Sequence, residues 1–233
     1  MGYKHKPLEK LVYLEEEQKP KKIVIISCEG QNTEPQYFRT IKNKLNISVL
    51  IEIDIVPRDN KSAPKYVLSG LQEHIEDKYG YKKDYDQMWL VLDREKVVAR
   101  KTEILEILPK CEEKGFSIAL TNPAFEFWLL LHIVDITNYN EDVLFQNNKV
   151  SGKKRYLDQK LSEILGGYNK TSETTENAMK TIVTKENIIK ALTQEQLFEN
   201  DLEKIIDKLG SNIGDLIKEI LPNLVVQQKL PNR

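Results

Sequence analysis

Only two cysteines, Cys28 and Cys111, occur in 233 residues. That is too few for a disulfide framework or a structural zinc site, and it predicts reduced thiols in a cytoplasmic protein. Arginine is also scarce, six of the 35 basic residues. Against them stand 36 acidic residues, for a net charge of -1, which excludes a histone-like polycation but not a local basic groove. No apolar run approaches the roughly 18 residues of a membrane span, so no membrane partner is expected. The first 22 residues lack an apolar stretch followed by a small-residue cleavage site, so no secretion signal is expected. There is no G-x-x-x-x-G-K-[ST] loop, so this chain is not itself a P-loop ATPase. No G-x-G-x-x-G follows the first strand-like run, which argues against a dinucleotide site.

What is present reads as a globular protein, 40% hydrophobic and 30% charged. Residues 1–20 are polar and mixed in charge, an arm. Ile23 to Cys28 is a β-branched run without alternation, which predicts a strand buried on both faces. Further strands are expected at Val49–Val56, Asp86–Asp93 and Phe116–Leu120. Helices are expected at Glu34–Leu45, Ala63–Tyr79 and Val97–Lys114, the last closed by Gly115. Another opens at Thr121-Asn122-Pro123 and is apolar nearly all round, hence buried. This alternation predicts a mainly parallel four-stranded α/β sheet with helices on both faces over 21–136. Asn138 to Ser151 reads as a polar loop. The rest of 137–233 reads as helical, at Tyr156–Leu165, Lys185–Leu192, Glu195–Leu209 and Ile213–Leu221. The next strand-like run is Leu224-Val225-Val226.

Ligands of an open parallel sheet bind at the carboxyl ends of its strands. Glu29 stands after the first strand, Asp93 and Glu95 after the third, and Asn122 and Glu126 after the fourth. Oxygen donors from three strands suit Mg²⁺ or Mn²⁺, and two such ions can activate water against a phosphodiester. Each position also has a structural reading. A carboxylate beyond a strand often caps a helix. Glu126, among Phe125, Phe127 and Trp128, needs a cation, a metal or a helix N-terminus, and Arg94 or Arg39 would serve. Cys28 has no neighbouring His and reads as a core residue. His132 on the apolar helix reads as a satisfied core histidine or as a supporting site residue. Lys149, Lys153, Lys154, Arg155 and Lys160, with Tyr156 and Tyr168, form either a backbone-tracking patch with stacking tyrosines or a solvated lysine-rich face.

Three blocks carry a resemblance. Val24 to Phe38 contains C-E-G (Cys28 to Gly30) and T-E-P-Q-Y-F (Thr33 to Phe38). Val91 to Glu95 ends in D-R-E, and Thr121 to His132 reads T-N-P-A-F-E-F-W-L-L-L-H. In this order they resemble the RloB-like proteins, whose second motif is usually D-R-D. The resemblance covers about residues 22–133; beyond 136 it is limited to Ser211-Asn212. It implies a Toprim-like fold. In that fold Glu29 would be ligand or general acid/base, and Asp93 with Glu95 would hold Mg²⁺. Glu95 in place of Asp keeps the charge and adds a methylene. The resemblance further implies an anti-phage, abortive-infection role similar to AbiL, beside a separate ABC-type ATPase. The expectation is therefore a metal-dependent nuclease acting on RNA, tRNA or DNA. Glu29, Asp93 and Glu95 would be catalytic, and Glu126, Asn122, Arg94 (on a phosphate) and His132 supporting. Lys153, Lys154 and Arg155 would contact nucleic acid. Two alternatives are a non-catalytic nucleic-acid- or partner-binding subunit of the ATPase complex and nucleotidyl transfer on the same metal site.

Overall fold

The computed structural model describes residues 21–45, 47–48, 50–57, 63–77, 82, 85–152 and 154–224. The expected N-terminal arm, Lys153 and the Val225-Val226 run lie outside the described residues.

Four parallel strands form the centre: β1 (Lys22–Cys28), β2 (Ile51–Ile55), β3 (Gln87–Asp93) and β4 (Ser117–Asn122). Their order is β2-β1-β3-β4. Cys28 pairs with Val91 and Asp93 with Thr121, which aligns the carboxyl ends of β1, β3 and β4. The chain runs outward from β1 to β2 and then crosses back to β3 on the other side of β1. The switch point of the sheet, where α/β folds bind ligands, therefore lies between β1 and β3.

The connecting helices match the expected ones. They are α1 (Thr33–Lys44), α2 (Pro64–Glu76), α3 (Val98–Lys114) and α4 (Phe125–Ile133). Prolines sit in the first turn of α1 and α2, where the missing N–H costs no helical bond. Gly115 ends α3 in the left-handed region at φ 70°, which a residue with a Cβ enters only at a cost.

After α4 the chain forms α5 (Glu141–Gln146), a hairpin of β5 (Lys149–Ser151) and β6 (Lys154–Arg155), and helices α6 (Tyr156–Leu165), α7 (Ser172–Ile182), α8 (Lys185–Glu195), α9 (Leu202–Ile205) and α10 (Ile213–Ile220). Besides the β5–β6 hairpin and α7, neither of them expected, three details differ from expectation. The polar stretch 138–151 holds α5, capped by the Asn140 side chain and anchored by buried Leu144. The long helix expected over 195–209 is reduced to the single turn of α9, because Asp201 caps a new start there. A fifth strand, β7 (Gly210–Ser211), pairs antiparallel with the outer edge of β4. Asn212 extends this edge with its side chain, accepting from the Leu120 amide at 2.6 Å and donating to the Ile118 carbonyl at 2.9 Å. Two residues are too short to show alternation, so β7 left no trace in the sequence pattern.

Two apolar layers flank the sheet. One joins Val24, Ile26, Trp89 and Val91 to α1 and α4 and to residues of α6, α7, α8 and α10. The other joins Ile25, Met88, Leu90 and Leu92 to α2, α3 and α9. Helix α4 lies inside the first layer, and every residue from Phe125 to His132 is buried. An apolar helix without a polar face is stable only in such a place.

Candidate active site at the carboxyl edge of the sheet

Glu29 is the first residue past β1, and its amide donates to the Val91 carbonyl of β3 at 2.9 Å. The backbone pairing thus sets its carboxylate over the switch point. One carboxylate oxygen, Oε2, accepts the Asp93 amide at 3.2 Å. The other, Oε1, meets the Arg100 guanidinium of α3 at 2.6 Å. Burial pushes the Glu29 carboxyl up to about 7, although Arg100 and the Asp93 amide pull it down.

Asp93 ends β3, and its Oδ1 accepts the Phe125 amide at 2.8 Å, at the start of α4. Its carboxyl is held well above the usual range, first by burial and then by Glu34, Glu126 and Glu29 nearby. Glu34, in the first turn of α1, is 5% exposed and accepts the Gly30 amide at 3.1 Å. Burial and the neighbouring Glu126 raise it to about 7. Glu126 is 2% exposed; its Oε1 takes the Lys170 ammonium at 2.9 Å and the Tyr168 hydroxyl at 2.9 Å. Lys170 also reaches Asp158 of α6 at 3.1 Å.

Asp93, Glu95, Lys96, Glu126, Arg155, Asp158 and Lys170 share the lining of a cavity of about 60 Å³. A buried water needs roughly 10–15 Å³ by this measure, so the space suits a few waters or a small hydrated ion rather than a base.

The structure therefore brings Glu29, Asp93 and Glu126 to one edge of the sheet, as the strand ends predict. Glu95 lies beside them on a left-handed backbone, φ 41°, with a half-exposed side chain 3.8 Å from Arg100. Arg155 and Lys154 come from the β5–β6 hairpin, and Arg155 opens onto the cavity. Other residues turn elsewhere. The Arg94 guanidinium donates to the carbonyls of Ile206, Glu95 and Val97. Asn122 donates to the Ile205 and Ile206 carbonyls, toward α9. His132 is fully buried; its Nδ1–H donates to the Trp128 carbonyl at 2.9 Å and its Nε2 accepts the Tyr37 hydroxyl at 3.0 Å. Burial lowers His132 to about 4, so it stays neutral. Tyr168 is 1% exposed and bonded to Thr33 and Glu126, which corrects the expectation that it stacks on bases.

Sequence reasoning passed over Glu34, Arg100, Asp158 and Lys170. Glu34 carried a signal, since it lies inside the T-E-P block. The others are ordinary surface-type residues on helices or a loop, and only the fold brings them in.

Residues 24–220 match the family model of the RloB-like proteins, which is most of the chain. The chain belongs to the RloB-like protein family. It has no match among curated proteins or solved structures. Its mainly parallel sheet with flanking helices is consistent with a Rossmann- or Toprim-like fold. No helix among the described residues is long and apolar enough to cross a membrane.

Among the described residues no three Asp, Glu, His or Cys side chains form a ready-made metal cage. Mg²⁺ does not need one. It keeps several waters and is commonly held by one or two carboxylates together with substrate phosphate. A crowd of carboxylates raising one another's proton affinity fits such an ion, because a divalent cation relieves the repulsion. Asp93, which lines the cavity, is the carboxylate that would hold it, with the charges of Glu34 and Glu29 beside it.

Proposed function

We propose that this RloB-like protein is a metal-dependent nuclease that cleaves phosphodiesters of RNA, tRNA or DNA. The carrying observation is that Asp93 and Glu126 share one cavity with Arg155 and Lys170. Carboxylates suited to a metal and cations suited to a phosphate thus meet at the carboxyl edge of the sheet, beyond β3 and β4. A bound Mg²⁺ or Mn²⁺ would polarise the phosphodiester and lower the pKa of a water. The chain's own residues have separable tasks. Asp93 would hold the ion. Glu29, raised to about 7, is poised to accept or return a proton near neutral pH. Arg155 and Lys154 orient the backbone, and Lys153 continues the same basic run. Glu95, at the rim, supplies a further carboxylate. A cytoplasmic anti-phage role and delivery by a separate ABC-type ATPase complete the reading, and they rest on the resemblance of the three motif blocks.

One observation favours a second reading. Both oxygens of Glu29 are already engaged, by Arg100 and by the Asp93 amide. In a non-catalytic, partner-binding subunit such pairs would be purely structural.

The deciding experiment incubates the purified chain with Mg²⁺ or Mn²⁺ against tRNA, single-stranded RNA and duplex DNA, alone and with the ATPase. Glu29→Ala, Asp93→Ala and EDTA controls run alongside. Metal-dependent cleavage that both folded variants lose supports the nuclease. Cleavage undiminished in both variants sinks the assignment. Absence of cleavage under every condition favours the binding subunit.

A further inference from the structure

A second recess adjoins the cavity at Asp93, and the two share a wall. Lys96 lines the cavity, and its ammonium lies 3.5 Å from the centre of the Phe145 ring. Phe145 in turn lines a groove of about 340 Å³ between α5 and the segment from α8 to β7. The floor of the groove is apolar, built from Phe145, Leu197, Phe198 and Leu209. Leu197 is 60% exposed there. The Phe198 ring is held edge-on against Phe127 of α4, with centroids 5.0 Å apart. The cavity itself, at about 60 Å³, has no room for a base. A nucleotide whose phosphate reaches Asp93 must therefore place its base elsewhere. The groove beyond Lys96 falls at the lower end of the size of ligand pockets, roughly 300 Å³.

The rim of the groove selects by chemistry. Glu141, Asp142, Glu199 and Asp207 line it together with Lys208. Lys208 takes Glu199 at 3.3 Å, and Lys101 of α3 takes Asp207 at 2.6 Å. With Lys96 and Lys101 counted at the edge, four acids face three cations, so the groove has no surplus of positive charge for a second phosphate. Glu141 and Asp142 are exposed in the first turn of α5, and the charge of Asp142 acts on Lys96. An ionised carboxylate only accepts hydrogen bonds. Guanine offers two N–H donors side by side, which match the two oxygens of one carboxylate. Uracil offers a single N–H between two carbonyl oxygens, which a carboxylate repels.

We propose that this groove is a base subsite for single-stranded nucleic acid, taking an unpaired guanine beside the scissile phosphate, with its face on Phe198 and Leu197 and its N–H edge toward Glu141 and Asp142. This deepens the nuclease reading and rests on it for the phosphate at the cavity. A paired base has its N–H edge engaged by its partner, so a duplex cannot make these contacts. Stacking on apolar and aromatic side chains supplies affinity for any base, and the carboxylates supply the preference. Lys96, common to both recesses, is left to the phosphodiester between them.

The test reads binding rather than turnover. The full chain, isotope-labelled in its leucine methyl groups, is titrated in EDTA with GMP and with UMP and followed by nuclear magnetic resonance. GMP is expected to shift the Leu197 and Leu209 methyl signals and to bind at least about fivefold more tightly than UMP. Glu141→Gln combined with Asp142→Asn is expected to abolish that preference. Phe198→Ala is expected to weaken GMP binding about tenfold. If it fails to fold, Leu197→Ala, at an exposed position, takes its place and is expected to weaken GMP binding too. Equal affinity for GMP and UMP on wild type overturns the proposal, as do shifts that spare both leucines. A groove that answers to a lysine-rich peptide and to neither nucleotide is a protein-docking surface, which also overturns it. Oligonucleotide cleavage is followed separately. Metal-dependent cleavage without a GMP preference leaves the nuclease standing and removes this subsite. GMP seated in the groove of a chain that cleaves nothing removes the nuclease reading and keeps a nucleotide site.

Discussion

The Glu34 carboxylate folds back onto Gly30, accepting its amide at 3.1 Å, and a Cβ on Gly30 would collide with Glu34 Oε2. No side chain fits there while Glu34 keeps its place. Gly30 thus matters by contact and not by a strained φ, since any side chain there must move the end of the Glu34 side chain. The glycine of the C-E-G block admits a second acid into the site.

Gly30→Ala is therefore expected to displace Glu34 and break its bond to the backbone. The cost is about 1–3 kcal/mol for a buried group losing its partner. Urea denaturation measures the loss, and metal affinity should fall with it. Unchanged stability and unchanged Mn²⁺ affinity would show that Glu34 does not depend on this contact.

Stability without metal should fall as pH rises. Glu29 and Glu34 have folded values near 7 against ordinary values of 4.5. Between those values the folded state holds more protons than the unfolded one, so raising the pH favours unfolding. Each group contributes a slope of about 1.4 kcal/mol per pH unit at most. His132 works in the opposite direction between 6.5 and about 4, since its folded form stays neutral. Glu34→Gln removes one carboxylate and keeps an acceptor for Gly30. In EDTA it should match wild type near pH 5 and exceed its stability by about 1–3 kcal/mol at pH 8. A variant less stable than wild type at pH 8 would count against the assignment.

Arg100 and Glu29 form a pair with little exposure, 11% and 9% of their side chains. Removing one member strands the other, at a cost of about 3–5 kcal/mol in buried pairs. Arg100→Gln is expected to approach that range, and Glu29→Gln to cost less, because a neutral amide tolerates burial. A double-mutant cycle should give a coupling above 1 kcal/mol; additive effects would mean that the pair is energetically idle.

Arg155 is exposed at the mouth of the cavity, so its loss should spare the fold. Arg155→Ala should weaken binding to a single-stranded oligonucleotide and reduce the slope of log affinity against log salt by about one. Arg94→Ala is the contrast. Its guanidinium is spent on backbone carbonyls, so it should lower stability and leave the salt slope unchanged.

Much of this was legible in the chain. Short apolar runs, β-branched in β1, made the central strands, and amphipathic stretches made most of the helices between them. Strand ends are where side chains leave the sheet, so Glu29 and Asp93 were placed by counting strands. Glu126 was marked by its setting, since an acid in a wholly apolar helix needs a partner. The partner itself was not legible: Arg94 and Arg39 were the candidates, and Lys170 holds the place. Tyr168 was misjudged because a tyrosine beside lysines looks the same whether its ring faces solvent or core.

The sequence alone determined the alternation of strand and helix, the edge on which acids collect, and the motif blocks of the family. Those are local properties, written in periodicity and in which residue follows a strand. The tertiary structure decided which charges meet. Arg100, Asp158 and Lys170 reach the acids from separate elements of the chain. Ion pairs act over a few ångströms whatever the separation along the backbone, so only the packing of α6 and its following loop onto α1 and α4 sets the balance of charge at the site.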